Sequence, residues 1–64
     1  MANSDMEETK ALLRFMIDHN DHHIGELADL LDRLPEAARK KLLLAIGGFE
    51  AANVDLRGVL ECLE

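Results

Sequence analysis

The sequence predicts an all-α fold: an antiparallel two-helix hairpin that dimerises into a four-helix bundle. Two stretches of nearly equal length carry apolar residues at alternating spacings of three and four. The only proline of the chain falls between them. A chain of 64 residues buries too little surface for a large core, so a single hairpin needs further support, and a second copy is the simplest source.

Helix one is expected over about residues 5–33. Ser4 followed by Glu7 forms a capping box, in which the hydroxyl takes a free amide of the first turn and the carboxylate reaches back. Asp5, Glu7 and Glu8 place negative charge where the helix dipole favours it. From there Met6, Thr9, Leu13, Met16, Asn20, His23, Leu27, Leu30 and Leu34 follow a three-four rhythm without a slip, a heptad seam. Leu12, Ile17, Ile24 and Leu31 flank it, so the apolar stripe is wider than one seam requires.

Leu34-Pro35 stops this helix, because proline disfavours helical geometry in the residue before it and suits a helix start. Helix two is expected over about 36–63, with the seam Ala38, Leu42, Ala45, Phe49, Ala52, Leu56, Val59 and Leu63, widened by Ile46 and Leu60. The whole of 1–64 is then one helical-hairpin domain with a turn at 34–35. A three-helix alternative breaks the second helix at Gly47-Gly48, but the seam runs through both glycines in phase and each costs only about 1 kcal/mol. Counting outward from the turn, His22 and His23 should lie level with Ala45 to Gly48, and His19 with Glu50. The bulky polar residues would then face the smallest stretch of helix two, leaving room for an ion, a ligand or water.

Thirteen acidic against seven basic residues give a net charge of −6, which repels phosphate backbones and anionic lipid surfaces. No nucleic-acid or membrane partner is expected. Cys62 is alone and suits a reducing compartment; the start of the chain has no signal-peptide pattern, and no apolar run approaches the roughly 20 residues of a spanning helix. A cytoplasmic protein follows. Catalysis has little to stand on: Glu-x-x-His, the repeated unit of di-iron bundles, does not occur, and Gly47-Gly48 lies inside a helix pattern rather than in a phosphate loop. The expectation is that the protein is not an enzyme.

The chemistry of the chain is concentrated in His19-Asn20-Asp21-His22-His23-Ile24-Gly25-Glu26. Asn20 and His23 fall on the seam, where buried polar groups must be hydrogen-bonded, and Asn53 on helix two is a candidate partner. Such a polar layer would penalise wrong registers and wrong oligomers. The sharper reading is a metal half-site. His19 and His23 are four apart and leave one helical face close enough to chelate one ion, with Glu26 three residues further on that face. Imidazole suits nickel, cobalt, zinc, copper or iron, and the sequence does not choose among them; two-fold symmetry would double two histidines into four. Glu50 could join from helix two; His22, placed between Asp18 and Glu26, is a surface histidine or a dimer-interface residue. Phe15, Leu43 and Leu44 lie off the seam and mark faces open to a twin or to another protein, as an adaptor module would have.

The run from Phe15 to Leu27, with Ile17-Asp18-His19-Asn20-Asp21-His22-His23 at its centre, resembles small uncharacterised bacterial and archaeal helical-hairpin proteins carrying Ile-acid-His-Asn-x-x-His. Ala52-Asn53-Val54-Asp55-Leu56 is similar to the Ala-Asn-x-x-Leu element of their second helix. The resemblance implies that His19, Asn20, His23, Glu26 and Asn53 are the positions that matter, while Gly25 departs from the acidic residue of the pattern. It implies no established activity beyond an association with nickel or cobalt handling.

Overall fold

The computed structural model of the chain describes residues 2–64, with side-chain surroundings from residue 5 onward. It is an antiparallel hairpin of two helices, α1 (Ala2–Asp29) and α2 (Glu36–Leu63), joined by a 3-10 turn at Leu31–Arg33. The rod they form is 53 Å long. The Ser4–Glu7 capping box rests on a Ser4 side chain outside the described residues.

α-Helical geometry ends at Asp29, four residues before the expected 33. Leu30, Arg33 and Leu34 instead donate their amides three residues back, to Leu27, Leu30 and Leu31, at 3.0–3.3 Å. These bonds tighten the chain into a 3-10 turn. Leu34 is then extended (φ −104°, ψ 145°), as the residue before a proline prefers, and Pro35 caps α2. The Pro35 carbonyl takes the Arg39 amide at 2.9 Å. The Arg39 guanidinium reaches back to the carbonyls of Leu31 (3.3 Å) and Leu34 (3.2 Å), tying the two arms together.

That turn moves the register. Asn20 pairs with Asn53, whereas counting from Leu34-Pro35 would have set it near Phe49. The shift is four residues, about one turn of helix. Because the chain spends Leu30 to Leu34 on the 3-10 turn, Arg39 rather than Pro35 meets the end of the first arm. His23 therefore lies level with Glu50, and His19 with Val54. Gly47 and Gly48 are not opposite the histidines: a Cβ built on either would touch nothing within 4 Å. Replacing both by alanine should stabilise the hairpin by about 0.5–1 kcal/mol each, since α2 bears the backbone entropy of glycine without using the space. Urea unfolding of Gly47→Ala and Gly48→Ala checks this; destabilisation would mean that the space is occupied.

Half of the expected seam is also corrected. Leu13, Asn20 and Leu27 of α1, Leu34 after the turn, and Leu42, Phe49, Leu56 and Leu63 of α2 do turn inward. Their companions are Ile17, Ile24, Leu31, Ile46, Asn53 and Leu60, not the residue before each of these. Ile17 (5% exposed) and Ile46 (8%) are the buried apolar residues among those described. Met16, Leu30, Ala45, Ala52 and Val59 are left exposed, and His23 is only half-buried.

The two flanks of the hairpin differ in consequence. On one, Asp21 pairs with Arg57 at 2.5 Å and Arg14 with Glu64 at 2.6 Å, so this flank is polar. On the other, Thr9, Met16, His23 and Leu30 recur every seven residues opposite Ala38, Ala45, Ala52 and Val59, with no charged side chain at these positions. No helix among the described residues is long and apolar enough to cross a membrane.

Candidate functional site

The sequence cluster separates into two sites on different sides of α1. The first is a buried polar layer built on Asn53, the most enclosed side chain described, at 1% exposure. Its amide nitrogen donates to the Ile17 carbonyl (3.0 Å) and to Asp21 Oδ1 (2.8 Å). Its carbonyl oxygen accepts from Asn20 Nδ2 (3.0 Å). Asp21 Oδ2 is held by Arg57. Both amide protons of Asn53 are thus used, and no buried side-chain nitrogen or oxygen among the described residues lacks a partner.

Asp21 and Arg57 are the members that sequence reasoning missed. Asp21 sits next to Asn20 on the polar edge of the seam, and its signal was available: a carboxylate one position outside a buried amide can accept the amide's spare proton. His23, expected in this layer, is not part of it. It projects to the opposite flank, two residues and about 200° further around the helix.

The second site is the histidine pair. His19 Nε2 and His23 Nε2 are 2.9 Å apart, with ring centroids at 4.3 Å and planes near perpendicular. His23 Nδ1 meets Glu26 Oε1 at 2.8 Å, and His19 stacks on Phe15 with centroids 5.6 Å apart. One tautomer of each ring satisfies all these contacts. Glu26 accepts from His23 Nδ1–H; a neutral His23 therefore presents a lone pair at Nε2, to which His19 Nε2–H donates. Two nitrogens about 2.0–2.1 Å from one tetrahedral ion are roughly 3.3 Å apart, so an ion replacing the shared proton requires the rings to part by only a few tenths of an ångström.

Glu26 serves as the partner that orients His23. A metal-binding histidine usually donates its other ring nitrogen to a carboxylate in this way, which fixes the ring and raises its basicity. His22 points to solvent, 3.7 Å from the other Glu26 oxygen. Glu50 does not join: it shares the polar flank of Arg57 and Glu64, spaced by sevens, and lies across the hairpin from the histidines. Among the described residues, no group of three or more histidine, cysteine, aspartate or glutamate side chains is arranged to hold an ion. One hairpin thus brings two imidazoles together and no further ligand.

A depression between Arg14, Ile17, Arg57 and Leu60 offers no free cation, since both guanidinium groups face carboxylates. Cys62 is exposed and far from the histidines in the chain.

Fold and site define an all-α hairpin locked by a buried asparagine layer. The sequence matches the family described as a domain of unknown function, DUF8180, over residues 9–63, and the chain belongs to that family. No curated protein and no solved structure matches it.

Proposed function

We propose that this is a small, non-enzymatic, cytoplasmic protein that binds or responds to a transition metal ion, nickel, cobalt or zinc, through His19 and His23. The observation that carries the reading is the convergence of the two Nε2 atoms at 2.9 Å, with Glu26 already orienting His23. The register of the hairpin has its own device in Asn20, Asp21 and Asn53, so the histidines are not needed for it. An exposed imidazole beside a half-buried one is a costly way to cover a surface and an economical way to hold an ion. Both lie in the Ile-acid-His-Asn-x-x-His run that likens the chain to small bacterial and archaeal hairpin proteins, which supports treating them as one unit. A lone cysteine suits the reducing compartment.

Titration of the untagged protein with Ni²⁺, Co²⁺ and Zn²⁺ tests this. Wild type should bind, and His19→Ala/His23→Ala should not. Absence of binding, or equal binding by both proteins, refutes it. Glu26→Gln should weaken binding by about 10- to 100-fold, the usual effect of removing a partner that orients a ligand.

A second reading, an adaptor that binds another protein, draws on Leu44, Val54 and Phe15, each more than half exposed. It predicts that Leu44→Ser abolishes capture of that protein while the histidine variant retains it.

A further inference from the structure

The hairpin is under-buried for its size. A compact monomer of 7.1 kDa exposes about 4,100 Å² by the usual scaling. This chain exposes 4923 Å². The excess, roughly 800 Å², is one partner's share of a standard protein interface. Part of it lies on the histidine flank, where Leu12, Met16, Leu30 and Val59 remain exposed and Glu26 stands beside His23, while the opposite flank is closed by its own ion pairs.

Several positions of this flank repeat in both directions, although the same count sets Met16 against Glu26. On α1, His19 and His23 stand symmetrically about residue 21, and so do Leu12 and Leu30. On α2, Ala45 and Val59 stand symmetrically about Ala52. The register given by the Asn20–Asn53 bond sets these two centres level, about half-way along the rod. A two-fold axis crossing the rod there would lay α1 on the second copy's α1, bringing His19 to the other chain's His23 and Leu12 to its Leu30. On α2 it would oppose Val59 to the small Ala45, with Ala52 at the axis allowing close approach. Such an interface is isologous, each contact occurring twice.

We infer that a second copy of this chain covers the histidine flank about that axis, and that the two histidine pairs together form one four-imidazole metal site. The inference rests on the metal reading above and completes it. A single hairpin offers two ligands where a closed tetrahedral site takes four. Neither pair is sufficient alone.

Sedimentation combined with Co²⁺ titration, followed by the absorption of tetrahedral Co²⁺, tests the inference. Wild type should sediment as a dimer at micromolar concentration and bind one Co²⁺ per two chains. Ala52→Glu, an exposed helical position in the lone hairpin, sets two carboxylates together at the axis. It should yield monomers and weaken Co²⁺ binding by more than about a hundredfold, beyond the effect of losing an outer partner. Leu44→Glu, on the outer surface, should change neither property. A wild-type monomer, or a dimer untouched by Ala52→Glu, overturns the inference. So does one Co²⁺ per chain, which would leave the metal reading standing. A dimer that binds no Co²⁺ overturns the metal reading and the shared site together. Should Ala52→Glu fail to fold, the wild-type mass and stoichiometry still decide.

Discussion

Asn53→Asp should be the most damaging conservative substitution in the chain, costing about 3 kcal/mol or more. The side chain keeps its shape but loses both donors. Its new oxygen would face the Ile17 carbonyl and Asp21 Oδ1, where Asn53 now donates at 3.0 and 2.8 Å. An extra charge in a place 1% exposed, beside a carboxylate, has no compensating partner there, since Arg57 already engages Asp21. Removing or misplacing one partner of a buried ionic network typically costs about 3–5 kcal/mol. In a small domain, this is a large part of the total stability. Urea unfolding at neutral pH measures it, and a loss below about 1 kcal/mol would show that the layer is wetter than its geometry indicates. Asn53→Leu makes the complementary case. It restores apolar packing while leaving Asn20 and Asp21 to seek other partners, so the hairpin should hold but lose its unique register, visible as doubled or broadened amide resonances.

Truncation of either isoleucine to alanine should cost about 2–4 kcal/mol. Ile17 and Ile46 are the buried apolar side chains described, and the loss combines transfer free energy with the cavity left behind. The two are well separated along the rod: Ile17 lies level with Leu56, ten residues beyond Ile46, which is roughly 15 Å of helix. Their effects should therefore add to within about 0.5 kcal/mol in the double variant. Leu44→Ala, at a side chain 78% exposed, should change stability by no more than about 0.5 kcal/mol. Parallel urea titrations of the three single variants and the double variant give the comparison. Equal losses at Leu44 and Ile46 would mean that the outer face is covered in solution.

The helical hairpin was legible in the sequence because two periods of one kind stood on either side of one proline. What the sequence left ambiguous was which column of a wide stripe turns inward. At Met16-Ile17, Leu30-Leu31, Ala45-Ile46 and Val59-Leu60, two apolar residues stand side by side, and a three-four rhythm passes through either. At Met16-Ile17 and Ala45-Ile46 the β-branched residue is the buried one and at Val59-Leu60 the larger one turns inward, whereas at Leu30-Leu31 the two side chains are the same. Volume separates the columns at Ala45-Ile46 and Val59-Leu60, because the space between two helices must be filled, and Leu30-Leu31 follows from the phase of the others. At His23-Ile24 the same rule sends the isoleucine inward and leaves the histidine on the flank.

That rotation decides the reading of the cluster. With His23 on the seam, histidine and asparagine looked like a single polar layer. With Ile24 on the seam, Asn20 reaches Asn53 while His23 turns to His19. The register error had a different origin. Residues 30–34 carry no glycine and no strong breaker before Pro35, so nothing in their composition announces that α-helical geometry stops at Asp29. Five residues of tighter turn were enough to displace α2 by a helical turn; Glu50 stays level with the histidine pair and is out of the site because it sits on the polar flank.

The central claim is that register and ligand binding are separate tasks, carried by Asn53 and its partners on one side of α1 and by His19 and His23 on the other. The unfolding midpoint of wild type and of His19→Ala/His23→Ala, each with and without Zn²⁺, tests it most directly. Without metal the two midpoints should agree to within about 0.5 kcal/mol, since neither ring takes part in the Asn53 layer. Excess Zn²⁺ should raise the wild-type midpoint alone, by about 2.7 kcal/mol at a hundredfold excess over the dissociation constant. A metal-free variant that is severely destabilised, or a Zn²⁺ response equal in both proteins, would contradict the account.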